Sequence, residues 1–342
     1  LGVGPLFFGP LSDSLGRKPM VFVGFGIFIL ASFICVYAKS LEIMVLGRIL
    51  QGFGLSAPRT ISVAIIRDLY AGDYMAKIMS FVIVIFLLVP IIAPAMGKLI
   101  LDSFNWEAIF IFQILFCLLI AFWFWKRQEE TLDPKNRIDF KIDLFKKGFL
   151  ELMHFKKTIA YTLISGLITG SFMVYLSTSQ QIFQEQYGLK ETFPYIFAGL
   201  ATASGGAILL NGLFVVKYGM KKIINISLIG FFLISVCYAF LFYNSVNPPL
   251  IIILSFFSLQ FFCLGFLFGN LRAIAMEPVG HIAGIGAAIT GFISTLMAVP
   301  ISIVIGKFVR LTVLPIFIGF SICSFISILI LIVLTIKAPQ NN

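Results

Sequence analysis

Long apolar runs separated by short polar gaps make up almost all of this chain. Ten of them fall near residues 20–38, 41–66, 77–100, 107–126, 158–182, 193–215, 222–243, 249–271, 282–306 and 311–336. Each is long enough for a helix to cross a hydrocarbon core about 30 Å thick. Residues 1–8 read as the tail of a helix already in progress. Unpaired backbone cannot sit in hydrocarbon, and the runs are too long and unbroken for barrel strands. The pattern therefore predicts an all-α polytopic membrane protein.

One connection stands apart from the others. Residues 127–157 are polar and basic, and within them Phe140, Leu144, Phe145, Phe149 and Leu152 recur at three- and four-residue spacing. That spacing predicts an amphipathic helix on the membrane surface; a plain solvated linker with some apolar residues is the alternative. The chain is accordingly expected to divide into an N-terminal bundle (residues 1–126, a stub plus four spans), a cytoplasmic linker (127–157) and a C-terminal six-helix bundle (158–342).

Composition removes the water-soluble alternatives. Of 342 residues, 60% are hydrophobic and 12% charged, and the mean hydropathy is +1.05. A soluble domain carries roughly 25% charged residues and needs a wettable exterior. The formal net charge of +10 would point to nucleic acid in a soluble protein, but here the basic residues sit in the gaps between apolar runs. That distribution fits anionic lipid headgroups and the orientation rule, so no nucleic-acid partner is expected. Alternating the connections puts eighteen basic residues on one side, among them Arg17, Lys18, Arg67, Lys146, Lys217 and Lys221. The other side holds four: Lys39, Lys190, Lys307 and Arg310. The first side is therefore predicted to be cytoplasmic. Cys35, Cys117, Cys237, Cys263 and Cys323 all lie in apolar stretches without metal or redox spacing. They read as packing residues, and neither a metal nor any other cofactor is expected.

The chain also echoes itself. Gly9 and Gly16 are spaced as Gly212 and Gly219 are, each pair near a junction between two spans, and Lys18 has its counterpart in Lys221. Two repeated halves are a common transporter plan. The stretch Gly9-Pro10-Leu11-Ser12-Asp13-Ser14-Leu15-Gly16-Arg17-Lys18-Pro19 resembles the signature loop between the second and third helices of the major facilitator superfamily. The resemblance implies two pseudo-symmetric helical bundles, of which the N-terminal one is incomplete here: the first helix and most of the second are expected to be missing. It also implies a gate loop on the cytoplasmic side, built on Gly9, Asp13, Gly16, Arg17 and Lys18, with Asp68 at the mouth and a salt bridge between Arg17 and Asp68.

Further motifs narrow the resemblance. The second full span reads Gly47-Arg48-Ile49-Leu50-Gln51-Gly52-Phe53-Gly54 and continues to Ile66-Arg67-Asp68. Helical spacing puts Arg48, Gln51 and Arg59 on one stripe. A guanidinium at membrane depth costs at least about 2.5 kcal/mol and normally faces a wet cavity or a partner. The resemblance makes Arg48 part of the family's fourth-helix arginine motif, implicated in proton coupling; snorkelling to the outer interface is the other reading. Arg59 stands between a transport role and a structural pair. The third span carries Pro90, Pro94 and Gly97, which resemble the bend of antiporter-type family helices, although Ala93 and Lys98 stand where that motif has glycine. With Trp106, Phe110, Glu129-Glu130-Thr131-Leu132 and Ala275-Met276-Glu277-Pro278, the chain resembles the bicyclomycin-resistance branch of drug:proton antiporters.

What the resemblance implies is a secondary active transporter, not an enzyme, exporting drugs or other small amphipathic molecules in exchange for protons by alternating access. Its partners would be the small-molecule substrate, protons and membrane lipids, in a monomer of the bacterial inner membrane. An uptake symporter for a small polar solute and a non-transporting remnant are the alternatives. No Asp or Glu falls at mid-span in any of the ten runs, so the coupling acid is expected either outside this sequence or at Asp13 and Asp68.

Overall fold

The computed structural model describes residues 2–70, 72–133, 135, 137, 142–243 and 247–336, and every regular element among them is helical. Expectations on Phe140, Lys141 and Lys337 lie outside the described residues, as do the side chains of Lys77, Pro90, Leu144, Phe145, Lys146, Lys147 and His281. The chain divides into two compact units, Leu1–Phe145 and Lys146–Asn342.

The first unit holds α1 (Gly4–Leu15), α2 (Arg17–Val36), α3 (Leu41–Leu69), α4 (Gly72–Ser103) and α5 (Glu107–Arg127). The segment expected as a loop, Gly9–Pro19, is almost entirely helix: α1 runs through Leu15, and α2 begins at Arg17. The single residue between them, Gly16, has φ 109° and ψ 153°, a conformation that costs a side-chain-bearing residue dearly. One left-handed glycine thus reverses the chain, and the basic residues become the first turn of a helix. Helices α2 and α3 pack at backbone distance. A Cβ on Gly54 would stand 2.7 Å from the Phe28 nitrogen and 2.8 Å from the Gly24 carbonyl, and one on Gly47 would meet the Cys35 sulfur at 2.5 Å. Small residues at such a seam let dispersion and close packing hold helices together where lipid supplies no hydrophobic drive. Phe8, Val21, Phe25, Phe28, Ile61 and Cys117 form the core around this seam.

The second unit holds the end of α6 (Ile142–His154), then α7 (Lys156–Gln180), α8 (Phe193–Tyr218), α9 (Met220–Leu241), α10 (Leu250–Met276), α11 (Ala283–Gly306) and α12 (Leu314–Ile336). Helix α6 is the amphipathic element the spacing predicts. Its apolar side does not simply lie in the interface: Leu152 is fully buried, and a Cβ on Gly148 would stand 2.7 Å from Ile285 of α11. Helix α7 continues into a π-helical turn, Gln181–Gln186. Gly170 lies against Ile301 and Ala298 of α11, and Gly265 against Ser204 and Ala207 of α8. Gly269, by contrast, has open space where its Cβ would be, so it makes no such contact. Tyr175, Phe231, Phe257, Phe261, Phe317 and Phe320 fill the core. The junction between α8 and α9 is again a single left-handed glycine, Gly219, with φ 78° and ψ 149°. The spacing shared by Gly16 and Gly219 therefore corresponds to the same backbone device used twice.

Among the described residues, nine helices are long and apolar enough to cross a membrane; α4, 32 residues long, covers the third apolar run of the sequence. Their outward faces carry Leu30, Leu119, Trp123, Leu213 and Phe240, all well exposed. An exterior of that kind is compatible with lipid and not with water.

Candidate functional site

Two polar constellations are built into the first unit. One is centred on Arg17, a residue only 4% exposed even though it is charged. Because α2 starts at this residue, the guanidinium projects back over the end of α1 and reaches the end of α3. Its Nη1 donates to Ser12 Oγ at 2.9 Å and to the Asp13 carboxylate, and its Nε donates to Asp68 Oδ2 at 2.9 Å. A buried cation is stable only when its donors are satisfied by such partners. Thr131 Oγ1 donates to the same Asp68 oxygen at 3.2 Å.

The backbone completes the arrangement. The N–H groups of Arg17 and Lys18, unsatisfied by any helical carbonyl, donate to Glu130 Oε1 at 2.9 Å and Oε2 at 3.0 Å. A carboxylate across a helix N-terminus is favoured both by those donors and by the helix dipole. Lys18 Nζ donates to the Trp125 carbonyl at 3.0 Å, tying the start of α2 to the end of α5. Gly16 is doubly constrained, since a Cβ there would stand 2.6 Å from Glu130 Oε2. Asp13, Gly16, Arg17, Lys18 and Asp68 are thus brought into one cluster. Gly9 joins it only through its carbonyl, which accepts from Ser12 Oγ at 2.7 Å, and has open space where a Cβ would be. The sequence carries no local signal that Glu130 would reach Arg17 across 113 residues; only the family resemblance drew notice to the stretch around it.

The second constellation lies between α2, α3 and α5. Gln51 is 2% exposed and sits at its centre. Its Oε1 accepts from Arg48 Nη1 at 2.9 Å, and its Nε2 donates to Ser32 Oγ at 2.6 Å and to Gln113 Oε1 at 3.4 Å. The Arg48 guanidinium stands 5.9 Å from the centre of the Phe110 ring, and Trp106 meets that ring edge-on. Ring faces attract cations at this distance. One turn before Phe110, Glu107 has a buried carboxylate oxygen with no hydrogen-bond partner among the described residues. Arg48 is itself exposed, so it borders the network instead of being enclosed in it. Arg59 is also exposed and stands about 16 Å further along α3, at 1.5 Å per residue. It belongs to neither constellation. Pro90, Pro94 and Gly97 lie on α4, which runs as one helix through both prolines, and Gly97 has open space where its Cβ would be. Among the described residues, no group of His, Cys, Asp and Glu side chains has the arrangement of a metal site.

Comparison with known proteins gives these features a setting. The family model described as Major Facilitator Superfamily matches residues 1–304. The Bacillus subtilis protein described as an uncharacterized MFS-type transporter, YdgK, is 29% identical over 90% of this chain and 76% of its own length. A bicyclomycin resistance protein homolog of Haemophilus influenzae is 31% identical over 67% of this chain and 58% of its own length. Citrobacter koseri multidrug resistance protein MdtL is 26% identical over 95% and 81%. Among solved structures, the nucleoside transporter NupG superposes with a TM-score of 0.67 at 15% identity, covering 97% of this chain and 87% of that one. A bacterial homolog of the human lysosomal transporter Spinster does so with a TM-score of 0.65 at 12% identity, over 97% and 84%. At these identities the structures bear on the fold alone.

Proposed function

The chain belongs to the major facilitator superfamily, a family of multi-pass membrane transporters, and on that premise we propose that it exports drugs or other small amphipathic molecules in exchange for protons by alternating access. The observation that carries this reading is the network around Gln51. A buried amide held by Ser32, Gln113 and Arg48, with an aromatic ring beneath the guanidinium, offers polar and cationic chemistry among helices that otherwise present hydrocarbon. Polar side chains inside a membrane bundle are costly and mark substrate or proton pathways. Resistance to drugs or to bicyclomycin in the descriptions of relatives supports the direction of transport.

In this reading Arg48 and Gln51 border the transport path, and Arg59 lines it further along α3. The Arg17 cluster is the gate on the cytoplasmic face, stabilised by Asp13, Asp68 and Glu130. Pro90, Pro94 and Gly97 give α4 the bend of an exporter. Residues 1–126 and 158–342 act as the two bundles, and 127–157 as the cytoplasmic linker, in a monomer of the bacterial inner membrane.

The test is ethidium accumulation in cells expressing the protein, with and without a protonophore. Expression should lower the steady-state dye content, and the protonophore should abolish the difference. A rise in dye content on expression would favour uptake and overturn the proposal. So would a lowered content that the protonophore leaves unchanged, because export would then not depend on protons.

A further inference from the structure

A cavity in the second unit belongs to neither constellation. It occupies about 850 Å3 between the start of α7, the start of α9 and the end of α12, within the size range of ligand sites. Its floor is hydrocarbon: Leu228 is fully buried, and Ile328 and Leu331 line it beside Tyr161. Its rim is also apolar and outward-facing, with Ile229 and Ile332 about half exposed. Lys156, Lys157 and Lys221 gather at one end. Lys157 is paired with Glu277. Lys156 and Lys221 are exposed and have no ion-pair or hydrogen-bond partner among the described residues, which leaves two positive charges over an apolar slot.

We propose that this cavity binds an anionic phospholipid, with the phosphate between Lys156 and Lys221 and an acyl chain along Leu228, Ile328 and Leu331. Charge complementarity selects the occupant. A phosphodiester offers oxygen acceptors to the two ammonium groups, neither of which has a partner among the described residues. A water-soluble anion would satisfy the lysines and leave the floor empty, whereas a zwitterionic lipid would fill the floor but bring its own cation beside its phosphate, adding no net negative charge against the two lysines. The starts of α7 and α9 carry the lysines to headgroup depth, where basic pockets between membrane helices hold acidic headgroups. The site is independent of the direction of transport, since none of its residues lies in the constellations of the first unit.

The experiment uses the full chain purified in detergent and mixed with equal amounts of phosphatidylglycerol and phosphatidylcholine, with retained lipid read by native mass spectrometry. Phosphatidylglycerol should be retained about tenfold over phosphatidylcholine, as two nearby lysines allow. The double variant Lys156→Gln/Lys221→Gln should remove the preference. Lys217→Gln/Lys222→Gln takes the same charge from the same end of the unit, where both side chains lie over the Tyr218 ring, and should leave the preference intact. Ile332→Trp, which crowds the slot and spares the lysines, should lower retention of both lipids. Equal retention of the two lipids by the native chain would overturn the site, and this arm needs no variant to fold. Equal loss in the two lysine pairs would reduce the effect to general charge, and full retention in Ile332→Trp would remove the acyl slot; either result also overturns it.

Discussion

Arg17 and Arg48 carry the same charge and make opposite predictions. Arg17 is buried and serves Ser12, Asp13 and Asp68 at once, so Arg17→Ala takes the cation from between two carboxylates, although Asp68 keeps Thr131 as a donor and Ser12 keeps the Gly9 carbonyl. Hydrogen bonds to charged groups are worth about 1.5–3 kcal/mol each, and the loss should fall near the upper end of that range. Thermal unfolding in detergent should show a clear drop, with Arg17→Lys recovering only part of it because an ammonium lacks the planar fork. Arg48 is exposed and, among the described residues, is held by Gln51 and the Phe110 ring. Its loss should cost under about 1 kcal/mol, while Gln51 keeps Ser32 as a partner. Arg48→Ala should therefore insert and unfold like the native protein yet fail to lower ethidium in cells. Normal dye export by that variant would remove Arg48 from the transport path and leave it an interfacial anchor. The pair Arg17–Asp68 was legible in the sequence because a motif carried it. Glu130 was not, since its partners are backbone groups that exist as donors only once α2 has started at Arg17.

At the scale of elements, the glycines at the two helix junctions, Gly16 and Gly219, separate a backbone effect from a contact. Gly219 has positive φ and nothing within 4 Å of its missing Cβ, whereas Gly16 has positive φ and Glu130 in the way. Gly219→Ala should cost about 1–2 kcal/mol from conformation alone. Gly16→Ala should cost that and, in addition, the loosening of the Glu130 cap, a further ~1 kcal/mol. Unfolding midpoints of the two variants in one detergent would test the order; equal losses would mean that Glu130 yields without cost. The ten full-length helices were legible almost to their ends, because a run of about 20 apolar residues leaves few alternatives in lipid, whereas α1 was read as stopping at residue 8 and runs to Leu15. Their seams were legible only in part. Gly170 and Gly265 lie against neighbouring helices and Gly269 does not, although all three sit in equally apolar spans. Apolar sequence says that a face is buried in lipid or protein, and it does not distinguish the two.

For the whole molecule, the expectation that remains to be measured is sidedness. Inserted chains retain basic connections on the cytoplasmic side, and the bias here is eighteen against four among 25 Lys and Arg residues. With that sidedness the Arg17 cluster, the start of α7 and the start of α9 would each be cytoplasmic, so the proposed gate and the proposed lipid site both depend on it. Single cysteines at Lys190 and at Lys217 divide the two faces, since α8 crosses between them. In a background with the five native cysteines changed to alanine, intact cells treated with a membrane-impermeant maleimide should label Lys190→Cys and spare Lys217→Cys. Opening the cells should expose Lys217→Cys to the reagent. The opposite labelling would turn the Arg17 cluster to the outside, and its carboxylates would then meet protons arriving from the medium instead of guarding the cytoplasmic mouth. Labelling of both sites in intact cells would mean that α8 does not span, which the length and hydropathy of Phe193–Tyr218 argue against.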